Sequence, residues 1–460
     1  MKLNAVYIIA VLFFTSAAAG TAEPDLDEAS LRETINYGTD NEIADLIKIL
    51  RADGLDYLDE DLVRLAEKTR NQNIILGIFS FFNDRKKNGL EETALAILNE
   101  RENETPQKIN AALDYLGTVK ERRAVPVMME IISRDDARFH NAAIRAIGKI
   151  NYSETDEPGA AEGEDAGITG IPDITETLID YYSNRNPGGD TREAIIWAVG
   201  SSGGKNALPF LMEIINGEDQ SIPIRMTALE AAGRLKDEGA LDLIIASAAS
   251  DDPNIRFAAV GALGNFNGDN VDAVILESFR DTYFKTRLAA VRSAKTRGFK
   301  DAIPYLRYRA EKDEAAAVRE EAVLALGSMK DDTADSMLVE MLDNEKLSDG
   351  LRSLCAEMLI KNNADGYAEK VIAKLDEAKA KKMTNLYKGL LKAIGLAKTD
   401  KVENLTARLF ASKDVSEKFY ALDMTANNRF TALRDEVEKL TKEKNISISG
   451  RAKKTLEKLE

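Results

Sequence analysis

A short period runs through this 460-residue chain, and it limits the possible folds more than the composition does. From residue 192 to residue 352, an Arg recurs in the same local pattern at intervals of 33, 31, 31, 32 and 33 residues. A fixed period of this length is typical of a repeat array, in which each unit buries its apolar face on its neighbours. The recurring residues are Arg192, Arg225, Arg256, Arg287, Arg319 and Arg352.

The residues that follow each Arg predict a helix with one buried face. Apolar residues stand three, four and seven places after the Arg, which is helical spacing. Small residues at places three and six, such as Ala259 and Ala262, would let neighbouring helices approach closely. A Gly eight places after the Arg, such as Gly200, is the expected end of this second helix. The first helix of a unit often begins Ala-aliphatic-Pro, as at 207–209, since Pro is tolerated in a first turn.

The full frame, Asp…Val-Arg-x-x-Ala-x-x-Ala-Leu-Gly, resembles HEAT repeats, in particular the short HEAT-like units first described in phycobilisome lyases. It is clear from about residue 105 to 361. The resemblance implies an all-α fold, a right-handed α-solenoid of about ten two-helix repeats whose second helices line the concave face. It also implies that each Arg pairs with an Asp of an adjoining turn, as a structural ladder. The candidate partners are Asp219, Asp251, Asp281 and Asp313, each five or six places before an Arg.

The frame weakens toward both ends, which predicts four parts. Residues 1–19 form a signal peptide, and 20–104 form degenerate N-terminal helical repeats or a cap. Residues 105–365 form the clear HEAT-like array, interrupted by an acidic loop insertion at 151–170. Residues 366–460 form degenerate C-terminal repeats with a basic capping helix.

The first residues have the order of a secretory signal. Lys2 supplies the positive charge, residues 6–14 are apolar, and residues 17–19 are three Ala. We expect cleavage after Ala19, or alternatively after Ala22. The apolar run is too short for an ordinary transmembrane helix. The sequence therefore predicts an exported protein of the bacterial periplasm without transmembrane insertion.

Charge is unevenly distributed along the chain. The formal net charge is −16, yet residues 366–460 hold 21 Lys and Arg against 14 Asp and Glu. An acidic body disfavours nucleic acid, because phosphate binding needs clustered positive charge. It favours a basic protein or peptide partner, and the basic end could meet the acidic body of a second copy head to tail. Ordinary solvated helix faces would give the same distribution.

Residues capable of catalysis are scarce. The single His, His140, replaces the Arg of its unit, so it is either a neutral substitute in the ladder or a pH sensor. The single Cys, Cys355, occupies a small-residue position and is expected in the core. The six acids of the 151–170 insertion could collect calcium, but their spacing is not that of an EF-hand. We expect no catalytic residue, no metal and no cofactor.

Positions one and five after the Arg fall between the apolar positions and should be polar. Several of them instead hold large apolar residues, which could form an exposed stripe that binds a partner. Alternatively, helix twist could bury these side chains. The residues are Trp197, Met226, Phe257, Leu288 and Leu324.

These features favour an exported HEAT-repeat scaffold or adaptor that binds a protein or peptide on its concave face. One alternative is a structural, self-assembling rod of the cell envelope. Another is a lyase-like, cofactor-handling HEAT enzyme. Loss of a bound client protein when the stripe is changed would favour the scaffold. Salt-sensitive oligomers would favour the self-assembling rod, and a bound chromophore would favour the lyase-like enzyme.

Overall fold

The computed structural model describes residues 28–53, 58–134, 138–151, 174–185, 187–204 and 206–459. These ranges contain 25 α-helices, six short 3₁₀ turns and no β-strand. The all-α class predicted from the periodicity is confirmed. The predicted signal peptide lies outside the described residues, and so does the 151–170 insertion apart from Asn151.

The chain divides into two compact units, one ending at Ala240 and the other beginning at Leu241. The sequence predicted no boundary there, because the repeat frame continues through this point. The helices of the first unit are α1 Glu28–Tyr37, α2 Asp40–Asp53, α3 Asp59–Lys68, α4 Gln72–Arg85, α5 Glu91–Asn99, α6 Pro106–Thr118, α7 Val125–Ser133, α8 His140–Asn151, α9 Ile174–Arg185, α10 Gly189–Ser202, α11 Ala207–Asn216 and α12 Ile222–Leu235.

The second unit contains the remaining helices. They are α13 Leu241–Ala248, α14 Pro253–Leu263, α15 Asp269–Ser278, α16 Phe284–Arg297, α17 Ile303–Lys312, α18 Ala316–Ser328, α19 Asp332–Asp343, α20 Asp349–Ala380, α21 Thr384–Ile394, α22 Glu403–Phe410, α23 Val415–Asn428, α24 Arg434–Leu440 and α25 Ile446–Glu457. Helix α20 has non-helical backbone at Asn363 and serves as two helices. Helix pairs therefore also occupy the regions where the Arg and Gly pattern is weak.

Within each of the two compact units, the first and second helices of the repeats alternate along the chain. The second helix of one repeat packs on the second helix of the next repeat. In the first unit, α6 packs on α8, α8 on α10, and α10 on α12. In the second unit, α14 packs on α16, and α16 on α18. The buried side chains are the apolar and small residues of the repeat frame, such as Ala228, Leu229 and Ala231 in α12. Burial of this apolar face stabilises the stack.

The prediction that the repeat Gly ends the second helix is confirmed for Gly264 and Gly395, the C-cap residues of α14 and α21, but it was wrong for Gly200 and Gly327. Gly200 lies inside α10, and Gly327 lies inside α18. A Cβ added to Gly200 would lie 2.5 Å from the Cβ and 2.8 Å from the Cα of Ala231 on α12. Gly is therefore present because two helix backbones approach closely. The second helices end a few residues later, several of them at a left-handed residue such as Gly203, Lys236 or Gly298.

Lys236 provides a test of these helix ends. It has φ 55° at the C-terminal cap of α12, a conformation that costs an L-residue roughly 1–2 kcal/mol and a Gly very little. We expect Lys236→Gly to raise the free energy of unfolding by about 0.5–1 kcal/mol in urea titrations followed by circular dichroism. Arg145→Gly, within helix α8 of the same unit, should lower it by about 1 kcal/mol. Equal losses for both variants would contradict the assignment.

Candidate functional site

The five apolar residues predicted as a stripe are divided between the two units. Trp197 and Met226 lie on α10 and α12 of the first unit, and the other three lie on α14, α16 and α18 of the second. All five are half-buried, so they are more covered than the sequence predicts. The most exposed large hydrophobic side chains lie elsewhere: Tyr37, Phe284, Tyr308, Leu396 and Val415.

The Trp197 ring is covered on the side that faces α8. A Cβ added to Gly148 would overlap the Cζ3 atom of Trp197, so the ring lies directly against this Gly. The Arg234 guanidinium stands over the ring, 5.3 Å from its centroid. Arg234 also donates a hydrogen bond of 3.5 Å to Ser201 Oγ, while Ser201 donates to the Trp197 carbonyl at 2.9 Å. Trp197 is thus held in place and retains a partly exposed surface.

Two glutamates share this face with Trp197 and Met226. Glu193 lies on α10 and Glu230 on α12. Glu230 is exposed to solvent, but partial desolvation of its carboxyl group raises its pKa; the nearby charge of Arg234 opposes that rise, and the charge of Glu193 adds to it. Arg234 acts on Glu230 through its charge, and its guanidinium also stands over the Trp197 ring. The face therefore combines large apolar side chains with negative charge that no neighbour neutralises completely.

The corresponding face of the second unit has a different composition. Phe257, Leu288 and Leu324 are half-buried there. At Gly261, on the same helix as Phe257, an added Cβ would meet nothing within 4 Å, so the surface is open at this point. Beside Leu288, Lys295 donates a 3.0 Å hydrogen bond to the carboxylate of Glu321.

Two members of the Arg column, Arg256 and Arg287, form bidentate ion pairs with Asp, but the partner is not the Asp five or six places before the Arg that the sequence predicted. Arg256 binds both carboxylate oxygens of Asp281, at 2.7 and 3.0 Å. Arg287 binds both oxygens of Asp313, at 2.7 and 2.8 Å, and both side chains are buried. In each pair the carboxylate belongs to the following repeat. Burial by itself would raise the pKa of Asp313, but the hydrogen bonds from Arg287 and the Ala315 N–H lower it overall.

The other Arg residues of the column make different contacts. Arg225 donates to the Ile215 carbonyl at 2.9 Å, and Arg352 donates to the Leu342 carbonyl at 2.9 Å. Arg319 donates to the carbonyls of Asp313 and Glu314. Arg192 stands over the Tyr182 ring, 5.3 Å from its centroid. The ladder of carboxylates is therefore partial: Arg352 approaches Asp349 only to 3.9 Å, and Arg225 and Arg319 bind main-chain carbonyls.

His140 and Cys355 occupy the packing positions that the frame assigns to them. His140 is buried, with Nδ1 3.1 Å from Tyr181 Oη, and the two rings meet edge to face. This contact joins α8 to α9 at a position where other repeats use Arg. Cys355 is fully buried, and burial raises the pKa of its thiol to about 12. The prediction of Cys355 as a core residue is confirmed.

The sequence did not reveal a shallow groove between the first helices α5 and α7. Leu95, Ala96, Pro126 and Val127 form its apolar floor. At its rim, Arg123 binds Glu92 at 2.7 Å. Half-exposed apolar residues on first helices are common in such repeats, so no pattern distinguished these four.

Two further observations hold for the residues that the structure describes. Among them, no three His, Cys, Asp or Glu side chains are grouped so that they could hold a metal ion. None of the helices in these ranges has the length and apolar character needed to cross a membrane.

Comparisons with known proteins concern both family and fold. The family described as Spirochaete HEAT repeat protein matches residues 35–455 of this chain. No curated protein matches it. The resemblance to HEAT repeats that the sequence predicted is confirmed, and the match extends well beyond the region where the frame is clear.

Several solved structures are similar to this chain. The Kap95:Nup1 complex is 12% identical, over 94% of this chain and 67% of that one, with a TM-score of 0.50. The complex of CpcE and CpcF of phycocyanin lyase from Nostoc sp. PCC7120 is 17% identical, over 65% of this chain and 98% of that one, with a TM-score of 0.30. Yeast importin-beta (Kap95p) is 10% identical, over 98% and 70%, with a TM-score of 0.43. At such identities these likenesses concern the fold alone.

Proposed function

This chain belongs to the Spirochaete HEAT repeat protein family, and from that premise we propose that it is an exported scaffold or adaptor. It binds a protein or peptide through the face formed by its second helices. HEAT arrays are extended stacks whose surfaces typically serve protein binding. The Kap95:Nup1 complex contains such a stack with a protein partner, which supports a protein partner here.

The observation that carries this proposal is the face made by α10 and α12. Trp197 and Met226 retain exposed surface at positions where the repeat frame calls for polar side chains. Trp is the residue type most often found as an anchor of protein interfaces. Its contacts with Gly148 and Arg234 hold the ring in one place before any partner arrives. Such preorganisation lowers the entropy lost on binding.

Charge supports a basic partner. The net charge of −16 would attract a basic protein over long range and raise its rate of association. Glu193 and Glu230 place part of that charge beside Trp197 and Met226. We therefore assign partner binding first to the α10–α12 face and second to the face containing Phe257, Leu288 and Leu324.

Binding without catalysis is the function that the reactive side chains favour. The thiol of Cys355 is buried and its pKa is raised, so it is a poor nucleophile. His140 is buried against Tyr181 between two helices. The order of Lys2, the apolar run and residues 17–19 supports export to the periplasm, with cleavage after Ala19.

A capture experiment with two matched methionine variants tests the proposal. Met226 is half-buried on the second helix α12, and Met212 is half-buried on the first helix α11 of the same repeat. We expect immobilised wild-type protein to retain a partner from cell-envelope extract, and Met226→Ala to lose at least about 80% of it, since truncating an interface anchor costs roughly 1–2 kcal/mol. Met212→Ala should retain the partner.

Trp197→Ala is the second variant for this experiment. It should also lose the partner, and circular dichroism should show that helix content is kept. Retention of the partner by both Met226→Ala and Trp197→Ala would move the binding site away from this face. Loss with Met212→Ala alone would place it on the first helices.

A further inference from the structure

The α10–α12 face carries two acids and two large apolar side chains in alternation. Residues four apart on a helix lie on the same face. Glu193 and Trp197 have this spacing on α10, and Met226 and Glu230 have it on α12. The order of acid and apolar residue is reversed between the two packed helices. The four side chains therefore form one patch, with the acids on one diagonal and the apolar residues on the other.

The two carboxylates interact with each other. Glu193 and Glu230 stand on the packed helices α10 and α12, and repulsion between their charges adds to the raised pKa of Glu230. Arg234, one turn after Glu230, offsets only part of it, and its guanidinium is engaged above the Trp197 ring and at Ser201. A second positive charge between the carboxylates would be stabilised by both of them.

Cations on the α8 side limit where such a charge can be placed. Arg145 is exposed on α8, and Lys149 of the same helix pairs with Asp114. The two acids of the patch therefore lie on α10 and α12, where Arg234 is the neighbouring cation. A Lys or Arg side chain from a partner can lay its apolar stem on Trp197 and Met226 while its charge reaches the acids.

We propose that this patch, formed by Glu193, Trp197, Met226 and Glu230, binds a Lys or Arg side chain of a partner protein. The inference rests on the proposed function and names the chemistry of the residue that the α10–α12 face selects. The two carboxylates recognise positive charge, and the methionine and the exposed part of the Trp197 ring recognise the stem. A neutral or acidic side chain gains neither attraction and would bury an acid without compensation.

The single Trp of the chain makes the patch directly observable, because its fluorescence comes from Trp197 alone. The full chain would be titrated at low salt and pH 7 with blocked tetralysine, and with blocked tetraglutamine as the neutral control. We expect a saturable change in Trp197 emission with tetralysine and none with tetraglutamine. The double variant Glu193→Gln/Glu230→Gln should raise the Kd for tetralysine at least about tenfold.

Glu102→Gln is the matched control, because it removes an exposed acid of the same unit outside the patch. It should change the Kd less than about twofold, since Glu102 lies outside the four-residue patch and adds only to the long-range field of the chain. Melting curves should show that the variants fold. Equal tetralysine binding by the double Gln variant, or no saturable signal in wild type, would overturn the inference.

The same variants separate this inference from the proposed function. A double Gln variant that still captures the partner lost by Met226→Ala would overturn recognition of a cation but leave the binding face in place. If wild type binds tetralysine but Met226→Ala captures the partner as well as wild type does, the cation-binding patch stands and the proposed binding face is refuted.

Discussion

Asp313→Ala is expected to lower the free energy of unfolding by about 3–5 kcal/mol, because it leaves the charge of Arg287 buried without its carboxylate. Arg287 is 5% exposed and Asp313 is 0% exposed. Asp313 accepts both bonds from Arg287 and one from the Ala315 N–H, so the loss affects two repeats at once. Urea unfolding followed by circular dichroism measures the change.

The adjacent acid provides the control for this prediction. Glu314 also binds Arg287, at 3.2 Å, but its side chain is 81% exposed. Glu314→Ala should therefore cost less than about 1 kcal/mol. The double variant Arg287→Met/Asp313→Ala should lose less than Asp313→Ala alone, because no unpaired charge remains buried. A loss below about 1 kcal/mol for Asp313→Ala would mean that the pair does not stabilise the stack.

The same pair sets a direction for the pH dependence of stability. The pKa of Asp313 is lower in the folded chain than in the unfolded chain. Its contribution to stability is therefore fully present above the unfolded pKa of about 4 and is lost as pH falls through the lowered folded pKa. Below about pH 4, wild type should lose stability more steeply than Asp313→Ala.

Gly200→Ala is expected to lower the free energy of unfolding by about 2 kcal/mol, because overpacking of a close helix contact costs about 1–3 kcal/mol. The added Cβ would lie 2.8 Å from both the Cα and the carbonyl oxygen of Ala231, so the backbones of α10 and α12 must separate. This change should also alter Trp197 fluorescence, since Trp197 lies one turn before Gly200 on α10. Chemical unfolding followed by that fluorescence measures both effects.

Gly261→Ala is the matched control for Gly200→Ala. Gly261 lies inside helix α14, and an added Cβ would meet nothing within 4 Å. Ala is about 1 kcal/mol more favourable than Gly inside a helix, so this variant should gain stability, as measured by circular dichroism. If Gly200→Ala also gained stability, the close approach of α10 and α12 would be refuted.

Much of the fold follows from the sequence, because helical spacing within a fixed period specifies both the element and its buried face. The Gly positions show where that reasoning fails. A Gly at a helix end and a Gly at a close helix contact look the same in one sequence. Gly200 belongs to the second kind, and the left-handed Gly203 ends the helix. The two kinds of Gly are distinguished only by the structure, in which Ala231 of α12 lies directly against Gly200.

The candidate site was predicted less completely than the fold. Asp313 lies six residues before Arg319 and 26 residues after Arg287. The sequence favoured the nearer Arg319, whereas the structure pairs Asp313 with Arg287. The half-burial of Trp197 likewise depends on Gly148, which lies on a different repeat. The period shows which residues occupy equivalent positions in successive repeats, but it does not show which of them contact each other.

Site-specific photocrosslinking tests the central claim most directly. A photoreactive phenylalanine analogue would replace Met226 on α12 in one preparation and Met212 on α11 in another, both in the full chain exposed to envelope extract. We predict a discrete crosslinked protein from position 226 and none from position 212, with yield reduced by the Glu193→Gln/Glu230→Gln changes. A crosslink from position 212 alone would contradict the claim that the second helices form the binding face.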